Sequence, residues 1–214
     1  MVAVLGCLLL GWWLSNPPSS LPAPATVAAA VETTRADTSA CPLPPRVEPG
    51  GPPLQSEVPS SMPPLKTEGA TLQPLAGFSV DARVLGREDY RMGREAEFSP
   101  TDLALGWGRM TEDAVLAQLQ ISQGGRWYRY RWKHDPPIPL GEIVRSSANM
   151  HMVPADDEVA AALRDVDAGE RVRIDGWLVQ VNTPDGWRWR SSLTREDTGG
   201  GACEVVYVCA VSTY

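Results

Sequence analysis

Only two histidines, His134 and His151, occur in the 214 residues, and no close pair of carboxylates completes a ligand set with either. That falls short of a zinc signature, so no metal and no cofactor is expected. A basic excess is also missing: the chain carries 19 lysines and arginines against 26 acids, a net charge of −7. Such a balance lacks the electrostatic footprint for phosphate backbones, which makes nucleic acid a poor partner. No lysine or arginine precedes Arg35, and residues 15–73 contain few aromatic or β-branched anchors.

What is present divides the chain into three. Residues 2–14 (VAVLGCLLLGWWL) form an uncharged apolar run stopped by Ser15-Asn16-Pro17-Pro18. Thirteen residues are short for a hydrocarbon core that takes roughly 20, and fit a signal-peptide core. Ala23-Pro24-Ala25 offers a small-x-small cleavage site, although the positively charged start of a standard signal is missing. A lipoprotein reading through Cys7 is weaker, because the apolar run continues past that cysteine. Residues 1–14 are therefore read as a signal or membrane anchor. The rest is expected on the periplasmic side of a bacterial inner membrane, or free in the periplasm after cleavage.

Fourteen of the 20 prolines lie between Pro17 and Pro74. Residues 15–73 read as a disordered spacer, too poor in apolar anchors to offset an ordering cost of about 1–2 kcal/mol per residue. Residues 74–214 are then the globular domain.

Within that domain, alternation predicts strands over residues 78–85, 127–132, 147–153, 172–181, 187–190 and 204–212. Gly176 stands where the apolar parity changes and predicts a bend in its strand. Ser99-Pro100-Thr101-Asp102 has the order of a helix start, predicting a short helix to Gly106. Thr111 and Asp156 are read as caps of two further helices. The fold class is α+β: a small twisted sheet or partly open barrel with two or three short helices, like the oligomer-binding barrel only by analogy.

Candidate chemistry is sparse. Cys203 and Cys209 would stand about 20 Å apart along one strand, too far to pair, and are expected as small buried hydrophobes. A bridge from either to Cys41 would have to pin the spacer. Asn149, His151, Thr194, Arg195 and Asp197 form the candidate binding site, near the glycine-rich stretch 199–201. A hydrolase would instead use His151 with Cys203, Ser191 or Ser192. Single-stranded nucleic acid is a third reading, needing a basic strip through Arg129, Arg131, Arg188 and Arg190.

Residues 83–90 (RVLGREDY), 99–108 (SPTDLALGWG), 147–151 (SANMH) and 185–204 resemble a family of uncharacterised bacterial proteins. The resemblance covers the domain and not the spacer. It implies an exported or single-span envelope protein and carries no activity. The expectation is a non-enzymatic binding module for an unknown protein or small molecule, held at the membrane by its N-terminal segment.

Overall fold

A computed structural model describes residues 41–194 and 203–214. Ten strands and four short helices follow in the order β1 (Leu54–Ser56), β2 (Leu65–Thr67), β3 (Ala70–Asp89), α1 (Arg94–Phe98), β4 (Thr101–Gly106), a 3-10 turn (Gly108–Thr111), α2 (Asp113–Leu116), β5 (Gln120–Gly124), β6 (Trp127–Arg131), α3 (Leu140–Arg145), β7 (Ser147–Pro154), α4 (Asp157–Arg164), β8 (Arg171–Asn182), β9 (Arg188–Arg190) and β10 (Glu204–Thr213). The class is α+β, as expected.

Eight strands make one mixed sheet, and β5–β6 form a separate hairpin. β3 pairs with β4, β4 with β7, β7 with β10, β10 with β8, and β8 returns to β3. The sheet is thus ring-like through five strands but partly open, not a barrel. The β7–β10 step is parallel and the other four are antiparallel. The helix α4 lies in the connection from β7 to β8.

β3 can serve two neighbours because it is 20 residues long and twice irregular. Its pairing with β8 slips between Pro74 and Ala76, and its pairing with β4 between Val84 and Gly86. A one-residue slip moves side chains to the opposite face. Leu72 accordingly packs with Trp177, Val179 and Val181 outside the ring, whereas Phe78, Val80 and Val84 face inward with Leu103, Met150, Ile174 and Val206. Val159, Leu163 and Val166, on and just after α4, pack against this inner cluster. Asp156 caps α4 by accepting a hydrogen bond from Val159 N at 2.8 Å. At the other end, Arg87 Nη1 donates to the carbonyls of Leu163, Arg164 and Val166, satisfying acceptors that a helix end leaves open.

Three expectations are corrected. Residues 101–106 are a fully buried strand, not a helix. The local cap pattern loses to burial on both faces between β3 and β7. The bend assigned to Gly176 belongs to β10, whose register slips between Val208 and Ala210. Gly176 is required because a Cβ there would overlap the Tyr207 carbonyl oxygen. Cys209 is not a free buried hydrophobe: it forms a disulfide with Cys41.

That bond belongs to a larger departure. From Cys41 onward, the residues read as spacer pack on the sheet. β1 and β2 extend the edge of β3. Trp177 Nε1 donates to Pro42 O at 2.7 Å, and Val47 is buried. Beneath this strap, Ser79, Asp81 and Asp175 are buried polar side chains. Val47 N donates to Ser79 Oγ, Ser79 Oγ to Asp175 Oδ1 and Gly50 N to Asp81 Oδ2. Arg46 pairs with Asp175 at 3.0 Å, and Arg171 with Asp81 at 2.9 Å. Composition missed the strap because much of its hold is polar or covalent, through Ser79, Asp81, Asp175, Trp177 and Cys209, which lie 31 or more residues from the strap residues they meet.

Burial works against ionising Asp81, but hydrogen bonds from Tyr214, Gly50 N–H and Arg171 outweigh it and hold its carboxyl below the usual carboxylate range. A depressed folded-state pKa stabilises above the unfolded value of about 3.9 and is lost as pH falls through the folded value. The thermal midpoint of the parent should therefore fall more steeply than that of Asp81→Asn as pH drops below about 4. Parallel acid profiles would contradict this.

The disulfide closes a separation of 168 residues. Cys41→Ser should cost about 2–4 kcal/mol. At about 2–4 °C per kcal/mol for a domain of this size, the midpoint should fall by roughly 4–16 °C. Scanning calorimetry with and without reductant measures it, since reduction should lower the parent and leave the variant unmoved.

Candidate functional site

On the outer face of β4 and β7, next to one another in register, stand Asp102 and His151. The Asp102 side chain is completely buried in an otherwise apolar strand. An isolated buried carboxylate would be strongly disfavoured, so its partners define the site. His151 Nδ1 lies 2.9 Å from Asp102 Oδ1. Arg126 Nη1 donates to the same oxygen at 2.6 Å, and Asn149 Nδ2 donates to Oδ2 at 3.1 Å. With the carboxylate ionised, Nδ1 carries the imidazole hydrogen and Nε2 is left as an acceptor.

Arg126 arrives from the tip of the β5–β6 hairpin. Gly125 and Arg126 both have positive φ, 61° and 68°, the geometry of a two-residue hairpin turn. A non-glycine residue adopts it at a cost, and here the environment holds it. Arg126 N donates to Tyr90 Oη at 2.8 Å, and Asn149 Nδ2 also reaches Arg126 O at 3.2 Å. Gln123, on β5, donates to Asn149 Oδ1 at 2.7 Å and to Asp102 O. The guanidinium lies 3.9 Å from the Tyr90 ring centroid and 5.9 Å from that of Trp189. Burial pushes the Tyr90 phenol above its ordinary value despite the hydrogen bond it accepts. Arg126 Nη2 is buried and has no hydrogen-bond partner among the described residues.

Aromatic rings continue the face. His151 lies 4.8 Å from Trp189, Trp189 6.1 Å from Trp187, and Trp187 is stacked on Phe98 at 5.9 Å. Arg94 sits 4.9 Å above Trp187 and pairs with Asp185 in the turn before β9. Trp187 and Trp189 are each half-buried, so the row is wedged between core and solvent.

Of the expected binding residues, Asn149 and His151 are brought together. Thr194 is exposed and bonds locally, its N–H donating to Ser192 Oγ at 3.1 Å. Arg195 and Asp197 lie outside the described residues. Ser191 is buried, its hydroxyl donating to Ser192 O and accepting from Val205 N. Cys203 is partly exposed, with its sulfur 3.9 Å from Arg126 O. Arg129 and Arg131 lie on the hairpin and Arg188 and Arg190 on β9, two elements of different sheets.

Asp102, Arg126, Tyr90 and Gln123 were not anticipated. Asp102 looked like an acid in a helix's first turn, and Arg126 fell just ahead of the strand expected over residues 127–132. The available signal was a carboxylate directly ahead of Leu103-Ala104-Leu105-Gly106-Trp107, a run too apolar to leave it solvated. Comparison with protein-family models, curated proteins and solved structures gives no match.

Breaking a buried ion pair from one side typically costs about 3–5 kcal/mol. Asp102→Ala should lose that much in urea unfolding, while Asp102→Ala combined with Arg126→Met should recover part of it. A double variant no more stable than Asp102→Ala would show that Arg126 is adequately solvated without its partner.

Proposed function

We propose that this chain is a non-enzymatic binding module of the bacterial envelope, exported or membrane-held through its apolar N-terminal segment. Its ligand surface is the outer face of β4, β7 and β9. The observation that carries this reading is Arg126, a guanidinium clamped against a buried carboxylate and two aromatic rings while 18% of its side chain stays exposed. A donor fixed in this way supplies direction to a ligand acceptor, while half-buried Trp187 and Trp189 supply stacking area at small entropic cost. The buried polar set is a poor device for stability, since apolar side chains of similar volume commonly serve as well.

The Cys41–Cys209 disulfide supports an oxidising compartment outside the cytosol. No helix among the described residues is long and apolar enough to cross a membrane, so the proposed anchor rests on residues 2–14 alone.

A thermal-shift screen of the full chain against peptidoglycan fragments, short peptides and soluble lipid headgroups tests the reading. At a hundredfold excess over Kd, a binder stabilises by about 2.7 kcal/mol, a shift of roughly 5–10 °C at this size. A hit should lose its shift with Arg126→Gln. Shifts untouched by that change would move the ligand elsewhere.

A second reading is favoured by the Asp102–His151 contact. An acid orienting imidazole Nδ1 on β7, with the Cys203 thiol one residue ahead of the neighbouring strand β10, has the parts of a thiol hydrolase. It requires rapid iodoacetamide labelling of Cys203 at neutral pH that slows at least tenfold in His151→Ala. Equal rates in the two proteins leave binding as the function.

A further inference from the structure

Where β3 ends and β4 begins, beside α4 and next to Tyr90, lies a cavity of about 240 Å³. Pro100, Met152, Pro154, Ala160 and Leu163 give it an apolar body. Met152 and Leu163 also belong to the inner core, so the floor is fixed by the packing that holds the sheet. Its polar groups are concentrated in a few side chains. Arg87 is committed to the carbonyls at the end of α4 and to Asp89, which it meets at 3.0–3.2 Å. Burial opposes ionising Asp89, but bonds from Arg87 and Thr101 prevail and keep it anionic, so Arg87 and Asp89 cancel.

Two cations remain. Arg91 and Arg164 line the cavity from opposite sides, one after the end of β3 and the other at the end of α4. Both are exposed, and neither guanidinium makes a hydrogen bond or salt bridge among the described residues, although the Arg91 charge helps to keep Asp89 anionic. A chain with a net charge of −7 therefore presents a locally cationic rim around an apolar cavity. At the roughly 30 Å³ that a molecule of liquid water occupies, the space admits about eight non-hydrogen atoms.

We infer that this cavity is a binding site for a small monocarboxylate with an apolar body of about that size, its tail on Met152 and Leu163 and its carboxylate between Arg91 and Arg164. Apolar burial and two guanidinium donors suit this ligand jointly, whereas a short anion would leave the cavity empty and a neutral chain would leave the arginines unused. The site is separate from the Arg126 face and does not depend on its role.

Isothermal calorimetry on the full chain, with octanoate as probe and octanol and acetate as controls, tests the assignment. Octanoate should bind, and acetate and octanol should each bind at least tenfold more weakly. Arg91→Gln with Arg164→Gln should weaken octanoate by tenfold or more and remove its salt dependence. Ala160→Leu, which fills the cavity from α4, should abolish binding while circular dichroism and the thermal midpoint stay near those of the parent. Octanol binding as well as octanoate, acetate binding as well as octanoate, or no octanoate heat at millimolar concentration overturns the proposal. So does undiminished binding in the double arginine variant or in folded Ala160→Leu. An acetylated peptide ending in leucine that binds more tightly than octanoate assigns the site to a chain terminus and overturns the free-acid assignment.

Discussion

A carboxylate with no access to water sits on the second strand of the five-strand ring, and the surrounding architecture follows from the need to neutralise it. Asp102 takes one partner from its neighbour β7, His151, and a second from the same strand, Asn149. Its third partner comes from outside the sheet. Arg126 reaches it only because the β5–β6 hairpin folds back over the face and turns tightly at its tip. The charge pair fixes the hairpin to the sheet more specifically than apolar contact would, because a guanidinium and a carboxylate meet in few orientations. Tyr90 and Gln123 then complete the hold from the end of β3 and from within the hairpin. In this respect, the polar cluster is the joint between two sheets.

The opposite side of the ring uses the same device. Asp81 and Asp175 are almost fully buried and are satisfied by Arg46, Arg171, Tyr214 and strap backbone. Both outer faces are therefore covered by segments recruited through buried acids, while the interior of the ring is wholly apolar. An apolar interior specifies that the strands pack. The outer acids specify which segment lies where, because a displaced segment would leave a charge unpaired.

Much of the frame was legible in the residues. β8 alternates on either side of Gly176, β10 reads as a largely buried apolar strand, and Asp156 at the head of α4 is a cap whose effect is local. Local rules failed where the deciding partner was remote. The cap order of Ser99-Pro100-Thr101-Asp102 describes a helix start well enough, yet β3 and β7 bury both faces of these residues and Asp102 answers an arginine 24 positions away. Proline-rich composition described the strap correctly as unable to build a core of its own. It could not show that another core, together with Cys209, would hold it. Two of the five expected site residues stand in the polar cluster for a related reason: Asn149 and His151 stood out by residue type, whereas Asp102 and Arg126 matter only as a pair.

The Cys41–Cys209 bond also has a mechanical meaning. β10 lies between β7 and β8 in the sheet, and the bond gives Cys41 a covalent route to it. Tension on the chain ahead of Cys41 would pass through sulfur into that central strand instead of peeling β1 and β2 from the edge of β3 one hydrogen bond at a time. Loaded through its leading segment, the domain would resist as a bolted plate does, at a strand paired on both sides.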